Sequence, residues 1–128
     1  MLTVANRYKA VQVKTSSPGE VLIMLFDGLF RFLGEARDAM IRDDRAFTGD
    51  RIERAHAILI ELAASLNKSV EPDLCANLEA IYLFSTHKLL EANISRDAEK
   101  IGQVMRILDP VRDGFKTAIR EQAARAVG

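Results

Sequence analysis

The strongest constraint on the fold is a long apolar helix predicted within residues 15–36, because both its start and its buried face are marked in the sequence. Ser17 can cap the helix, Pro18 suits its first position, and Glu20 completes a capping box. Behind this start, apolar side chains recur at helical spacing in a stripe wider than a coiled-coil seam: Leu22, Leu25, Leu29, Phe32 and Ala36, flanked by Phe26, Phe30 and Leu33. A helix this apolar must lie at the centre of a helical core, and another element must cover any surplus.

The composition favours one globular domain in a reducing compartment. The 128 residues include 48% apolar and 28% charged residues, and a chain of this length can bury a core without staples. Its 18 basic residues balance 18 acidic ones, so no charge excess points to nucleic acid or to an anionic membrane. Cys75 is the only cysteine, which excludes an internal disulfide. The longest apolar run, residues 21–26, is too short to span a bilayer, and the N-terminus lacks a signal-peptide pattern, so we expect a cytosolic protein without membrane insertion.

The first helix should cover residues 18–41, and two further helices follow it. The second should cover residues 48–67 with Thr48 as its N-cap, and its stripe alternates spacings typical of a bundle: Ile52, Ala55, Leu59, Leu62 and Leu66. The third should cover residues 72–93 with Pro72 in its first turn. Its inner face is expected to contain Leu74, Leu78, Ile81, Tyr82, Leu89 and Ala92, with the small Ser85 among them.

A fourth helix should cover residues 96–124, with Ser95 as its N-cap. Pro110 lies inside it, and proline removes a backbone donor and clashes with the preceding turn, so we expect a kink or a break near Asp109. Four helical segments with short links and no strand pattern predict an all-α fold, an antiparallel up-and-down four-helix bundle.

The remaining segment, residues 1–14, would form an N-terminal arm without a clear helical period. Terminal segments are often frayed, which is one interpretation of this arm. The other is that Tyr8 and Val13 dock onto exposed apolar surface of the bundle. The residues alone leave both open.

The motifs of catalysis and metal binding are incomplete. Glu53 and His56 have the Glu-x-x-His spacing of di-iron bundles, but the residue three before His87 is Phe84, so a second such motif is missing. We therefore expect Glu53 and His56 to lie on a solvated edge, with no metal site, no cofactor and no enzyme activity. Cys75 on the third helix is expected to be buried and structural.

The apolar faces of the first and third helices exceed what one domain's core should need. A groove between helices that accepts another protein's amphipathic helix would use this surplus. A homodimer formed through the same face would use it equally well, and the residue pattern does not decide between them.

The ordered motifs of the chain resemble the FliS family, the bacterial flagellin-specific export chaperones. In the first third, the resemblance rests on Tyr8, Val13, Thr15, Ser17, Pro18, Leu22, Met24, Leu25, Asp27, Gly28, Phe32, Leu33 and Ala36. In the third helix and just after it, the resemblance rests on Asn77, Leu78, Tyr82, Leu89, Glu91, Ala92, Asn93 and Asp97. Three departures concern single positions: Phe26 stands where the family usually has tyrosine, Phe115 where tryptophan is common, and Pro110 lies within the fourth helix.

The resemblance implies a cytoplasmic chaperone that binds the disordered C-terminal segment of flagellin, prevents premature polymerisation and delivers the complex to the flagellar export gate. Client-binding residues carried over from it are Leu22, Leu25, Phe26 and Leu29 on the first helix, and Leu78, Tyr82, Leu89 and Asn93 on the third. Some of the first-helix residues must also build the core, Tyr82 fits a core role equally well, and Asn93 fits a structural role at the helix end. The resemblance also implies that the arm, through Tyr8 and Val13, covers the groove until the client binds. A homodimeric bundle without a flagellin client is the alternative.

Overall fold

Four helices make up the described part of the chain, residues 18–127 of a computed structural model, with side chains described to residue 125. They are α1 Pro18–Ile41, α2 Arg45–Ala64, α3 Pro72–Ser95 and α4 Ala98–Val127, and no strand occurs within these residues. Each helix packs against the next one along the chain, and α4 returns to pack against α1. Because short loops join packed neighbours, the helices are antiparallel, which confirms the predicted all-α bundle. The predicted N-terminal arm lies outside the described residues.

The core is centred on α1. Leu29, Leu33 and Ala36 have no solvent exposure, and they belong to one cluster with residues from the other three helices. The other helices contribute Ile52, Ala55, Leu59 and Leu62 from α2, Leu78, Tyr82, Leu89 and Ala92 from α3, and Ile101, Val104 and Leu108 from α4. Burying each large apolar side chain stabilises the fold by about 1.5–3 kcal/mol. The wide stripe of α1 therefore has the central position that its composition predicts.

The start of α2 differs from the prediction. The helix begins at Arg45 rather than near Thr48, and its N-cap is Asp44, whose carboxylate accepts a hydrogen bond from the Phe47 N–H at 3.1 Å. Thr48 is a fully buried residue within the first turn, and its hydroxyl donates to the Asp44 carbonyl at 2.7 Å. Asp43 has a left-handed backbone with φ of 60° and turns the chain one residue before the cap, so the helix starts earlier in the sequence than predicted. The helix also ends earlier than residue 67, at Ala64.

The link between α3 and α4 also differs. Ser95 is the last residue of α3 rather than a cap of α4, and its hydroxyl donates to the Glu91 carbonyl at 2.7 Å. Arg96, with φ of 55°, ends α3 in a left-handed turn. The first free N–H groups of α4 are then partly satisfied by Asp97, whose carboxylate accepts from the Glu99 N–H at 3.0 Å. The positive φ of Arg96 was not predicted from the sequence. This angle sets both the end of α3 and the start of α4.

The helix α4 continues through Pro110 without a break. Proline leaves the carbonyl four residues earlier, that of Arg106, without its helical donor. Both Arg106 and Pro110 lie on the exposed side of the helix, where water can replace the missing bond. The predicted break near Asp109 is therefore absent, and the alternative, a kink near Pro110, stays a prediction.

The inner face of α3 is rotated by one residue at its N-terminal end. Leu74, predicted to be buried, is 53% exposed, whereas Cys75 is buried. The buried residues alternate spacings of three and four along the whole helix: Cys75, Leu78, Tyr82, Ser85, Leu89 and Ala92. Ser85 is tolerated in the core because its hydroxyl donates to the Ile81 carbonyl at 2.8 Å.

The two cap assignments give a direct test. Asp44→Ala should lower the free energy of unfolding by about 1 kcal/mol, because it removes the acceptor of a free N–H group at the start of α2. Ser95→Ala should change it by less than about 0.5 kcal/mol, because the exposed hydroxyl caps no helix start. Urea denaturation of both variants measures the difference. Equal losses would contradict the observed helix starts.

Candidate functional site

An open groove runs between α1 and α2. Its volume is about 710 Å³, and its walls combine an apolar floor with charged side chains at the rim. The lining residues are Val21, Met24, Leu25, Asp27, Gly28, Arg31 and Phe32 from α1, and Arg54, Ala57, Ile58 and Glu61 from α2. We call this the α1–α2 groove. An apolar floor with a polar rim is the usual form of a surface that accepts an amphipathic helix.

The groove exists partly because Gly28 has no side chain. A Cβ atom at this position would lie 3.5 Å from the Ile58 Cδ1 atom, an ordinary contact distance. The backbone of α1 therefore does not require glycine here for steric reasons, and glycine in a helix interior costs about 1 kcal/mol relative to alanine. What glycine provides is space between α1 and α2, since any longer side chain would project into the groove.

The rim of the α1–α2 groove carries both signs of charge in paired form. The Asp27 carboxylate contacts the Lys116 Nζ at 2.9 Å and an Arg112 nitrogen at 3.6 Å, both from α4. On the α2 side, the Arg54 guanidinium contacts Asp50 at 3.0 Å. The Arg54–Asp50 pair is exposed on both sides and contributes little to stability, so a bound peptide can exchange its own charges with this pair at small cost.

An aromatic side chain in the groove is framed by arginines. The guanidinium groups of Arg31, Arg51 and Arg54 lie 4.8, 5.5 and 6.0 Å from the centre of the Phe32 ring. These cation–π contacts hold the ring in place while its remaining surface stays partly exposed. A fixed, partly exposed aromatic ring can anchor an incoming apolar side chain with little loss of conformational freedom.

The client-binding residues predicted on α1 divide into three groups. Leu25 lines the groove, although most of its surface is already buried. Leu22 is half-buried and packs against the core from outside. Phe26 and Leu29 offer no free surface, because Phe26 is 1% exposed with its ring centre 5.4 Å from that of Phe115, and Leu29 is fully buried.

The client-binding residues predicted on α3 are mostly interior. Leu78, Tyr82 and Leu89 are buried in the core, and Asn93 is half-buried near the end of the helix. The apolar surface of α3 is carried by the neighbouring positions instead: Leu83, Phe84, Leu90 and Ile94. Burial raises the pKa of the Tyr82 phenol to about 12, because the charged form would lie away from water.

The groove contains residues that the sequence pattern did not predict. Ile58 and Ala57 lie beside the inner stripe of α2, so their spacing gave no sign of a second role. The one sequence feature that pointed to this groove was the Phe32 side of the α1 stripe. Tyr8 and Val13, predicted to cover the groove, lie outside the described residues.

Other candidate chemistry is peripheral. Glu53 and His56 are both exposed, as predicted, and Cys75 is buried. Within residues 18–127, no group of three or more potential metal ligands comes together. No helix in the same range is long and apolar enough to cross a membrane.

Comparison with known proteins gives the family. The sequence-family model described as flagellar protein FliS matches residues 1–122 of this chain. This chain belongs to the FliS family. The flagellar secretion chaperone FliS of Bacillus subtilis strain 168 is 32% identical, with 94% of this chain and 92% of that protein aligned. The FliS chaperone of Salmonella typhimurium is 30% identical over 81% of this chain and 78% of its own length.

The fold of this FliS-family chain also has a solved counterpart. A crystal structure of a bacterial flagellar chaperone superposes with a TM-score of 0.75, covering 90% of this chain and 94% of that one. The sequence identity is 19%, so the likeness concerns the bundle. Members of the family are named as secretion chaperones rather than enzymes, in agreement with the predicted absence of catalysis.

The buried phenol of Tyr82 gives a pH test of the packing. The folded chain keeps it neutral to about pH 12, whereas the unfolded chain releases the proton near pH 10. The contribution of the neutral phenol to the free energy of unfolding is therefore fully present below pH 10. It is lost as the pH rises towards 12, by up to about 3 kcal/mol. Urea denaturation of wild type and Tyr82→Phe between pH 9 and 12 should show the two curves diverging. Parallel curves would mean that the phenol is solvated.

Proposed function

We propose that this FliS-family chaperone binds the C-terminal segment of flagellin in the α1–α2 groove, in the cytosol, and keeps that segment from polymerising before export. The single observation that supports this most is the open apolar groove at Gly28, found in a chain whose relatives are named flagellar secretion chaperones. The client would bind as an amphipathic, partly helical chain. Its apolar side would face the groove floor and its polar side the charged rim.

The energetics require several anchors. Each large apolar client side chain buried in the groove contributes about 1.5–3 kcal/mol before costs, and ordering a disordered segment costs about 2–5 kcal/mol or more. One anchor is therefore insufficient, and three or four spaced along a helix are needed. The apolar floor offers three contacts from the more exposed Met24, Phe32 and Ile58, and the mostly buried Val21 and Leu25 add to it.

The predicted client-binding residues have different roles in this proposal. Leu25 contacts the client directly, and Leu22 and Asn93 are half-buried positions that a longer client segment can reach. The buried members of the predicted set hold the helices in place and so set the shape of the groove: Phe26, Leu29, Leu78, Tyr82 and Leu89. The bound complex would then reach the flagellar export gate, where competition or unfolding releases the client without a nucleotide.

Gly28 and Gly34 form a matched pair for testing the groove. Both lie in α1, but a Cβ at Gly34 meets nothing within 4 Å, and only Gly28 lines the groove. Gly28→Met should fill the groove and weaken binding of a flagellin C-terminal peptide at least about tenfold, the loss of one good anchor. Gly34→Met should leave the affinity unchanged. Isothermal titration calorimetry gives both values.

The controls for this pair are fold and stability. Both variants should keep the helical circular-dichroism signal, since neither added side chain enters the core and glycine disfavours the helix. Equal peptide affinity of the two variants would place the client elsewhere. Phe26→Asp does not serve this purpose, because a carboxylate at a position 1% exposed would disrupt the core itself.

The arm provides a second test. The groove begins at Val21, within one turn of Pro18, where α1 starts. If Tyr8 and Val13 cover the groove, deletion of residues 1–14 should strengthen binding of the flagellin peptide severalfold, because the client no longer competes with the arm. Unchanged affinity and unchanged binding of a hydrophobic dye would show that the arm does not cover the groove.

A further inference from the structure

The charges that line the α1–α2 groove are divided between its two ends. A Cβ at Gly28 would contact Ile58, so these two residues mark the middle of the groove, where the antiparallel helices pass each other. Arg31 follows Gly28 by three residues and Arg54 precedes Ile58 by four, so both arginines lie on the same side of the middle. Glu61 follows Ile58 by three residues and lies on the opposite side. The groove therefore has a basic end and an acidic end.

The basic end is a pair of arginines beside an aromatic ring. The guanidinium groups of Arg31 and Arg54 lie 4.8 and 6.0 Å from the centre of the Phe32 ring, so both can approach one anion placed next to the ring. Arg31 takes part in no ion pair among the residues whose side chains are described. Arg54 contacts Asp50 at 3.0 Å, but Asp50 also contacts the Arg51 Nε at 3.1 Å and keeps that partner when Arg54 turns away.

The groove is closed just beyond this pair. The Arg51 guanidinium lies 5.5 Å from the centre of the Phe32 ring and 4.4 Å from that of Phe47 on α2. The same group contacts the Glu35 carboxylate on α1 at 3.5 Å. Arg51 therefore joins the two helices and fills the space between them, and the lining of the groove ends before this contact.

The acidic end is not closed by α1 or α2. Val21 lies three residues after the start of α1, and Glu61 lies three residues before the end of α2, so neither helix continues past this end. Asp27, the other acidic lining residue, lies near the middle and is already neutralised by Lys116 at 2.9 Å. Glu61 takes part in no ion pair within the described part of the chain, so its charge is available to a ligand.

We propose that Arg31 and Arg54 bind the C-terminal carboxylate of the client, and that this contact sets the direction in which the client helix lies in the groove. The inference rests on the proposed function, which supplies a client segment that ends in a carboxylate. A chain terminus fits a groove that is closed behind its basic pair, and the rest of the client leaves past Glu61. Two guanidinium groups bind one carboxylate through charge-assisted hydrogen bonds.

The dipole of the bound helix favours the same direction. The C-terminal end of a helix carries a partial negative charge and its N-terminal end a partial positive charge. In the proposed direction, the negative end lies beside Arg31 and Arg54 and the positive end beside Glu61. In the reverse direction, each end would meet a charge of its own sign. Phe32, held by the arginines, then contacts the last apolar side chain of the client.

Removal of the client's terminal charge tests the contact without any change in the chaperone. A flagellin C-terminal peptide that ends in an amide should bind about tenfold more weakly than the same peptide with a free carboxylate, because the charge-assisted hydrogen bonds are lost. Arg31→Gln should weaken binding of the free-acid peptide by a similar factor, and amidation should then have little further effect. Arg42→Gln, at an exposed arginine just after α1 and outside the groove lining, should leave both affinities unchanged. Isothermal titration calorimetry gives all of these values.

A nitroxide label on the last turn of the peptide tests the direction. It should broaden the amide signals of Phe32 and Arg54 more than those of Val21 and Glu61, and a label on the first turn should do the reverse. Equal affinity of the free-acid and amidated peptides would overturn the inference, and so would the opposite broadening pattern. Either result would leave client binding in the groove intact. Absence of any peptide binding would overturn the proposed function and this inference with it.

Discussion

Burial of α1 against all its neighbours is the interaction on which the rest of the structure depends. Leu29, Leu33 and Ala36 have no exposed surface, and Phe26 extends the same packing to Phe115 on α4. This fixes α1 in rotation about its own axis. Once that rotation is set, Met24, Gly28 and Phe32 must point to the side where α2 passes, and the α1–α2 groove results from it. The core is therefore the support of the site, and a change within it alters fold and groove together.

The bundle has more apolar helix surface than its interior uses, and the surplus occurs in two different forms. On α1 and α2 it is concave, with Ile58 and Phe32 in the floor and paired charges at the rim. On α3 it is a ridge without charge, of which Leu90 is typical. A concave surface with a polar rim suits a single extended partner. The groove and the α3 ridge are therefore separate parts of one molecule, because they share no residue.

Much of the architecture could be predicted from the sequence, because spacing determines which residues of a helix share a face. The span of α1 and the buried stripes of α2 and α3 are consequences of that spacing. The caps could not be predicted, because Asp43 and Arg96 adopt left-handed backbone angles that shift the neighbouring starts. The site residues were harder still: Ala57 and Ile58 lie beside the inner stripe of α2, and their spacing does not indicate that they line a groove. The role of Gly28 depends on its contact with Ile58, which belongs to another helix.

The most direct measurement of client binding in the groove is a nuclear magnetic resonance titration of methyl-labelled protein with a flagellin C-terminal peptide. The methyl groups of Met24 and Ile58 report on the groove, and that of Ile60, exposed on α2 but outside the groove lining, is the internal control. We expect large shift changes at Met24 and Ile58 that saturate with the peptide, and small changes at Ile60. Saturating shifts confined to Leu83, Leu90 and Ile94 on α3, with Met24 and Ile58 unmoved, would contradict binding in the groove.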